Sequence, residues 1–200
     1  MSSPTRWAGI PLTDRRSERR SLLVDAAFRL FRDGGEAAVS VRSVCRECGL
    51  NTRYFYESFP DVDELLGAVY DQVSQQLGEV VLEAMCAVRH DLHARTRAGI
   101  AAVLSFSSAD PGRGRILFTD ARANSVLARR RAASQDQLLH LMVVKDGWQL
   151  RDAQPIAATV GAAMYAGALA ELAQQWLAGR LGSDLDAVVD SAMALVLGRR

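Results

Sequence analysis

The sequence predicts an all-α protein of about nine helices, with an N-terminal three-helix domain of helix-turn-helix type ahead of a larger helical domain. Three observations carry that prediction. Apolar residues recur at helical spacing along nearly the whole chain, and alternation with period two is never sustained. Within the first 60 residues, two short helical segments meet at a glycine turn behind a longer one. Beyond them, Pro, Gly and Asp breaks divide the chain into long helical runs, and no internal repeat is visible.

Residues 1–14 hold Pro4, Gly9 and Pro11 and read as a flexible arm. From Arg15 a helix runs to Asp33, with Leu22, Leu23, Ala26, Ala27, Leu30 and Phe31 as its apolar stripe, and Gly34-Gly35 stops it. Ser40 caps a second, short helix whose Val41, Val44, Cys45 and Cys48 share one side. Gly49-Leu50 turns the chain, and Asn51 caps a third helix from Thr52 to Ser58. Pro60-Asp61 restarts it into a fourth helix reaching about Val88. Further helices are expected near 91–107, 112–118, 120–143, 153–180 and 184–198, parted at Asp110-Pro111-Gly112, Lys145-Asp146-Gly147 and Gly182-Ser183. The expected domains are therefore 15–60, the helix-turn-helix, and 61–200.

The third helix poses the functional question. Four aromatic rings fall between Tyr54 and Phe59, with Arg53 just before them. At about 100° per residue, Phe55 and Phe59 form one side while Arg53 and Glu57 face the other, with Tyr54 and Tyr56 on the flanks. A recognition helix must enter a major groove about 12 Å wide, so it must be short and anchored on one side only. Phe55 and Phe59 can supply the anchor against Val41, Val44, Leu30 and Phe31, leaving Arg53 for base edges and the tyrosine hydroxyls for phosphate oxygens. A plain three-helix core with an aromatic clamp has the same spacing.

Charge bears on the choice. The chain carries a net +1, but residues 1–60 hold ten Arg against seven acidic residues, and the rest holds 14 basic against 16 acidic. The N-terminal excess suits an anionic partner. All basic residues but Lys145 are arginine, which suits phosphate and guanine edges. A GC-rich genome gives the same bias.

Residues 16–70 resemble the N-terminal domain of the tetracycline-repressor (TetR) family of regulators. The shared pattern is a helix ending in F-x-x-x-G, a Ser before V-R-x-V, C-x-x-C-G-L, a helix with F-Y-x-x-F-P, and an acidic-x-L-L start to the fourth helix. The resemblance implies that Ser40 and Arg42 approach the DNA backbone and groove. It gives Asn51, Thr52, Arg53 and Tyr54 the recognition contacts and lays Tyr56 on the backbone. Two positions depart from the pattern: Ser58 stands where the family often has His, and Val62 where it often has Lys. Arg42, Arg53 or the arginines at 15, 16, 19 and 20 are expected to replace the lost phosphate contact.

In the second domain, 153–180 is apolar almost all round until Glu171, and 184–198 presents a wide stripe of Leu185, Val188, Val189, Ala192, Met193, Leu195 and Val196. Such helices need covering, and a two-fold pair from each of two subunits covers them, as the family's dimers do. Both helices could instead belong to an intra-chain core. Met85, Phe106, Leu117, Phe118, Met142, Trp148, Met164, Tyr165 and Trp176 are candidates for an apolar effector pocket. Each serves equally well in a core.

Other signals point to ordinary structure. Cys45 and Cys48 lie on an apolar stripe with no further ligands in view, and buried cysteine acts as a small hydrophobe. His90-Asp91-Leu92-His93 lies at a helix junction, and Arg129-Arg130-Arg131 reads as a solvated face or a partner for acidic groups. No phosphate-cradling loop, nucleophile elbow or zinc-protease motif occurs, so no enzyme, metal or cofactor is expected. The opening residues lack an apolar leader core, and the longest uncharged stretch, Ile156 to Ala170, is too short for a bilayer. The expectation is a cytoplasmic homodimer, a repressor binding a palindromic double-stranded operator and released by a small-molecule effector. The alternative is a helical small-molecule-binding or interaction protein that keeps the helix-turn-helix shape without specific operator binding.

Overall fold

The computed structural model describes residues 12–88, 91–120, 124–145 and 155–196. Within them the protein is helical: α1 Leu12–Gly34, α2 Val41–Cys48, α3 Thr52–Ser58, α4 Val62–Ala87, α5 Leu92–Ala109, α6 Pro111–Gly114, α7 Ser125–Lys145, α8 Pro155–Leu177 and α9 Leu185–Val196. A 3-10 turn covers Glu36–Ala38, and a π-helical turn, Arg115–Thr119, follows α6 directly. No strand occurs among the described residues, and none of their helices is long and apolar enough to cross a membrane. The chain forms two compact units, Met1–Tyr70 and Asp71–Arg200, with α4 running through the boundary.

In the first unit α1, α2 and α3 pack on one another. Leu23, Val24, Ala26, Ala27, Phe31, Val44, Cys45, Phe55, Phe59, Leu65, Leu66, Val69 and Tyr70 form its buried apolar set. Two details differ from the periodicity. Helix α1 begins at Leu12, ahead of the expected start at Arg15, so it takes in the last residues of the expected arm; residues 1–11 of that arm lie outside the described residues. Leu22, expected on the buried stripe, is 44% exposed. A helical step of about 100° carries it well off the side centred on Leu23, Ala27 and Phe31.

The second unit is built around α5, which packs against α6, α8 and α9, while α7 packs on α8. Ile100, Leu104, Ile116, Leu127, Ala173 and Val189 are its most deeply buried apolar residues. Several of its helix starts are locally capped. Asp91 accepts from His93 N and Ala94 N, and the buried Asn124 accepts from Val126 N and Leu127 N at 2.9 and 3.0 Å. His90 lies outside the described residues, as do Asp146 and Gly147 of the expected break after α7. Gly114 allows a close approach: a Cβ there would stand 2.7 Å from Leu177 Cδ1 and 2.9 Å from the Ser107 carbonyl oxygen.

Candidate nucleic-acid interface

The candidate interface begins with two capped helix starts and one sharp turn. Ser40 and Ser43 cap α2 reciprocally: Ser43 N donates to Ser40 Oγ at 3.1 Å, and Ser40 N to Ser43 Oγ at 2.9 Å. At the far end Gly49 adopts φ 68°, Leu50 N donates to the Cys45 carbonyl at 3.0 Å, and Gly49 N to the Arg46 carbonyl. This 6→1, 5→2 pairing is a Schellman close and demands a left-handed residue, which glycine supplies without strain. Asn51 then starts α3, its Oδ1 accepting from Arg53 N at 2.9 Å.

Helix α3 is two-sided. Phe55 and Phe59 are 0% and 2% exposed, with ring centroids 6.0 Å apart. Tyr56 meets the edge of Phe55 at 5.3 Å yet remains 61% exposed. The Arg53 side chain is 83% exposed, and Asn51, Thr52 and Tyr54 are exposed beside it, as is Arg42 on α2. All the positions the sequence singled out for DNA are exposed, though the Ser40 and Asn51 side chains are engaged as caps, and the two phenylalanines turn inward behind them.

The arginines of α1 play a part that the sequence did not assign them. Arg16 Nη2 donates to the Glu57 carbonyl at 2.6 Å and Arg20 Nη1 to the Ser58 carbonyl at 3.2 Å, satisfying the last turn of α3. Arg20 also lies over the Phe59 ring at 4.1 Å, and Arg19 over Tyr54 at 4.7 Å. These side chains buttress α3. On the outer face Arg53 Nε pairs with Glu57 Oε1 at 2.9 Å, and Arg19 Nη2 stands 3.9 Å from Glu57 Oε2. The i,i+4 spacing was the available signal for the first pair; nothing in sequence announces the second.

Cys45 is buried, and its thiol pKa is raised, chiefly by desolvation and then by the neighbouring Cys48. Cys48 Sγ donates to the Val44 carbonyl at 3.1 Å, so both sulfurs sit in the packing of α2.

The match with known proteins follows this geometry. Residues 23–69, from the middle of α1 through the first turns of α4, fit the model of the bacterial regulatory proteins of the tetR family. The chain carries the N-terminal domain of the tetR family of bacterial regulatory proteins. That places it among DNA-binding regulators rather than enzymes. Solved structures share its fold at low identity. The fatty acid degradation regulator FadR from Bacillus halodurans is 16% identical with a TM-score of 0.71, over 90% of this chain and 95% of that one. FadR from Bacillus subtilis, solved in complex with stearoyl-CoA, is 15% identical with a TM-score of 0.69, over 89% and 97%. A TetR-like regulator from Rhodococcus sp. RHA1 is 19% identical with a TM-score of 0.65, over 90% and 93%.

The pocket candidates of the second unit divide. Phe106 on α5 and Leu117 and Phe118 on the π turn are buried, and Arg113 lies over the Phe106 ring at 4.3 Å. Met85 is half-buried, near enough to α5 that a Cβ on Gly99 would meet its sulfur at 3.4 Å. Tyr165 and Trp176 on α8 are half-buried, and burial raises the Tyr165 phenol pKa. Met164 departs from the inward expectation: it is 71% exposed, one helical step round from Tyr165. The Met142 side chain and all of Trp148 lie outside the described residues.

Proposed function

We propose that this TetR-family regulator is a cytoplasmic homodimeric repressor that reads a palindromic operator through α3 and releases it when a lipophilic effector binds the second unit. The observation that carries operator reading is the two-sided α3, with Arg53 83% exposed outside and Phe55 sealed inside. Arg53 is placed for base edges, Tyr54 and Tyr56 for phosphate oxygens, and Asn51, Thr52 and Arg42 for the flanks. Dimerisation is supported by apolar groups left open on α8 and α9: Val160 at 52%, Met164 at 71% and Leu195 at 86% exposure. A two-fold pair of these helices would cover them and set two copies of α3 on successive turns of a duplex.

Phe106, Leu117, Phe118, Tyr165 and Trp176 lie on elements that pack together and are the lining we assign to the effector site, with Met85 at its border. The stearoyl-CoA complex of Bacillus subtilis FadR makes a long-chain acyl compound the first effector to try. An effector acts by preferring the arrangement that DNA does not, so DNA must weaken effector binding by the same factor.

Mobility shifts with genomic fragments at two salt concentrations test operator reading. Retention of one fragment at the higher salt is expected; uniform weak binding of all fragments, or none, would remove the proposal. The shape without the function would then be left.

A further inference from the structure

Granted that α3 reads the operator, we infer that Glu57 is a specificity-determining residue, which positions the Arg53 guanidinium and penalises binding to phosphate alone. Helix energetics give no reason for a carboxylate at this place. It lies in the last turn of a seven-residue helix, where the dipole disfavours negative charge. Its pairing with Arg53 runs in the weaker order, cation before anion, and an exposed pair of this kind adds little stability. The face it occupies is the one turned to a polyanion, where a negative charge opposes attraction.

The local charges explain what the carboxylate does. Three guanidiniums of α1, those of Arg16, Arg19 and Arg20, touch α3, and Arg53 is the fourth. Glu57 is the carboxylate set among them, with one oxygen on Arg53 Nε at 2.9 Å and the other facing Arg19 at 3.9 Å. Arg19 is itself fixed over Tyr54. Glu57 thus links an exposed cation to one held against a ring through its two oxygens. With Nε engaged, the terminal nitrogens of Arg53 point onward as the fork that meets the O6 and N7 of guanine. At a site lacking that base, Arg53 gains less, and the Glu57 charge continues to repel the backbone.

Full-length wild type and Glu57→Gln are each taken through selection from a random duplex library, and the enriched and a scrambled duplex are titrated over a range of salt. The Gln variant is expected to bind the scrambled duplex roughly fivefold more tightly at 0.15 M salt, with a salt slope steeper by about one, as for one more neutralised phosphate. Its enriched-to-scrambled ratio is expected to fall roughly tenfold. Glu57→Asp keeps the charge but withdraws it by one methylene, so it should keep the slope and lose discrimination. In an Arg53→Ala background, Glu57→Gln should steepen the slope and leave the ratio unmoved, a split that a purely structural residue would not give. Equal ratios and slopes in wild type and Gln variant would overturn the role of Glu57 alone. A wild type that enriches no sequence would overturn operator reading as well.

Discussion

The two units of this chain solve opposite problems. The N-terminal unit is small and carries its aromatic weight inward on Phe31, Phe55 and Phe59, with arginines of α1 tied to the end of α3. What it leaves open is mostly polar or amphipathic: Arg42, Arg53, Tyr54 and Tyr56. The second unit is larger, yet it leaves apolar side chains such as Val160, Met164 and Leu195 in the open. One surface is suited to a charged, hydrated polymer, the other to a second apolar surface. Exposure therefore means different things in the two units.

The sharpest way to break that contrast is to exchange the inside and outside of α3. Phe55→Ala empties a fully buried ring and is expected to cost about 3–5 kcal/mol in denaturant unfolding. Tyr56→Ala should stay within about 0.5 kcal/mol of wild type in the same measurement while weakening DNA binding. Equal losses for the two would erase the distinction between anchor and reader.

In the second unit, Met164→Asp places a charge on the open stripe of α8. The dimer dissociation constant is expected to rise at least about thirtyfold by sedimentation, with the helical circular dichroism unchanged. An unchanged association state would return that stripe to solvent.

Two glycines of the second unit provide a smaller, signed test. Gly114→Ala drives a Cβ to 2.9 Å from a backbone oxygen, and should cost about 1–3 kcal/mol. Gly78→Ala, mid-helix on α4 with nothing within 4 Å, should stabilise by about 0.4–1 kcal/mol. Melting temperatures moving the same way would contradict the packing around Gly114.

The smallest effect concerns the thiols. Burial raises the Cys45 pKa, so the folded chain holds that proton where an unfolded thiol releases it. The associated stability is complete below the ordinary thiol pKa and drains as the pH climbs through the raised folded value. Alkylation read by mass spectrometry should mark the exposed Cys86 first and Cys45 last, with Cys45 catching up only in alkali or denaturant.

Much of the first unit was legible because its signals are local. Ser40, Gly49, Asn51 and Asp61 each act within three or four residues of themselves, and the structure shows each doing so. The inward turn of Phe55 and Phe59 follows from spacing alone. Long-range choices were not legible. Arg16, Arg19 and Arg20 looked only like spare cations for phosphate; contacts with residues some 40 positions away also make them the brace of α3. Met164 and Leu22 belong to apolar runs, and a run does not reveal how wide its buried arc will be.

By itself, then, the sequence determined the helices, their stops, and which side of α3 is greasy, since caps, glycine turns and periodicity act over one or two turns of chain. Only the tertiary structure decided which cations brace and which remain outward, and which apolar side chains stay open. Those outcomes depend on which groups compete for the same space and the same carbonyls once distant helices meet, and that competition has no expression in residue order.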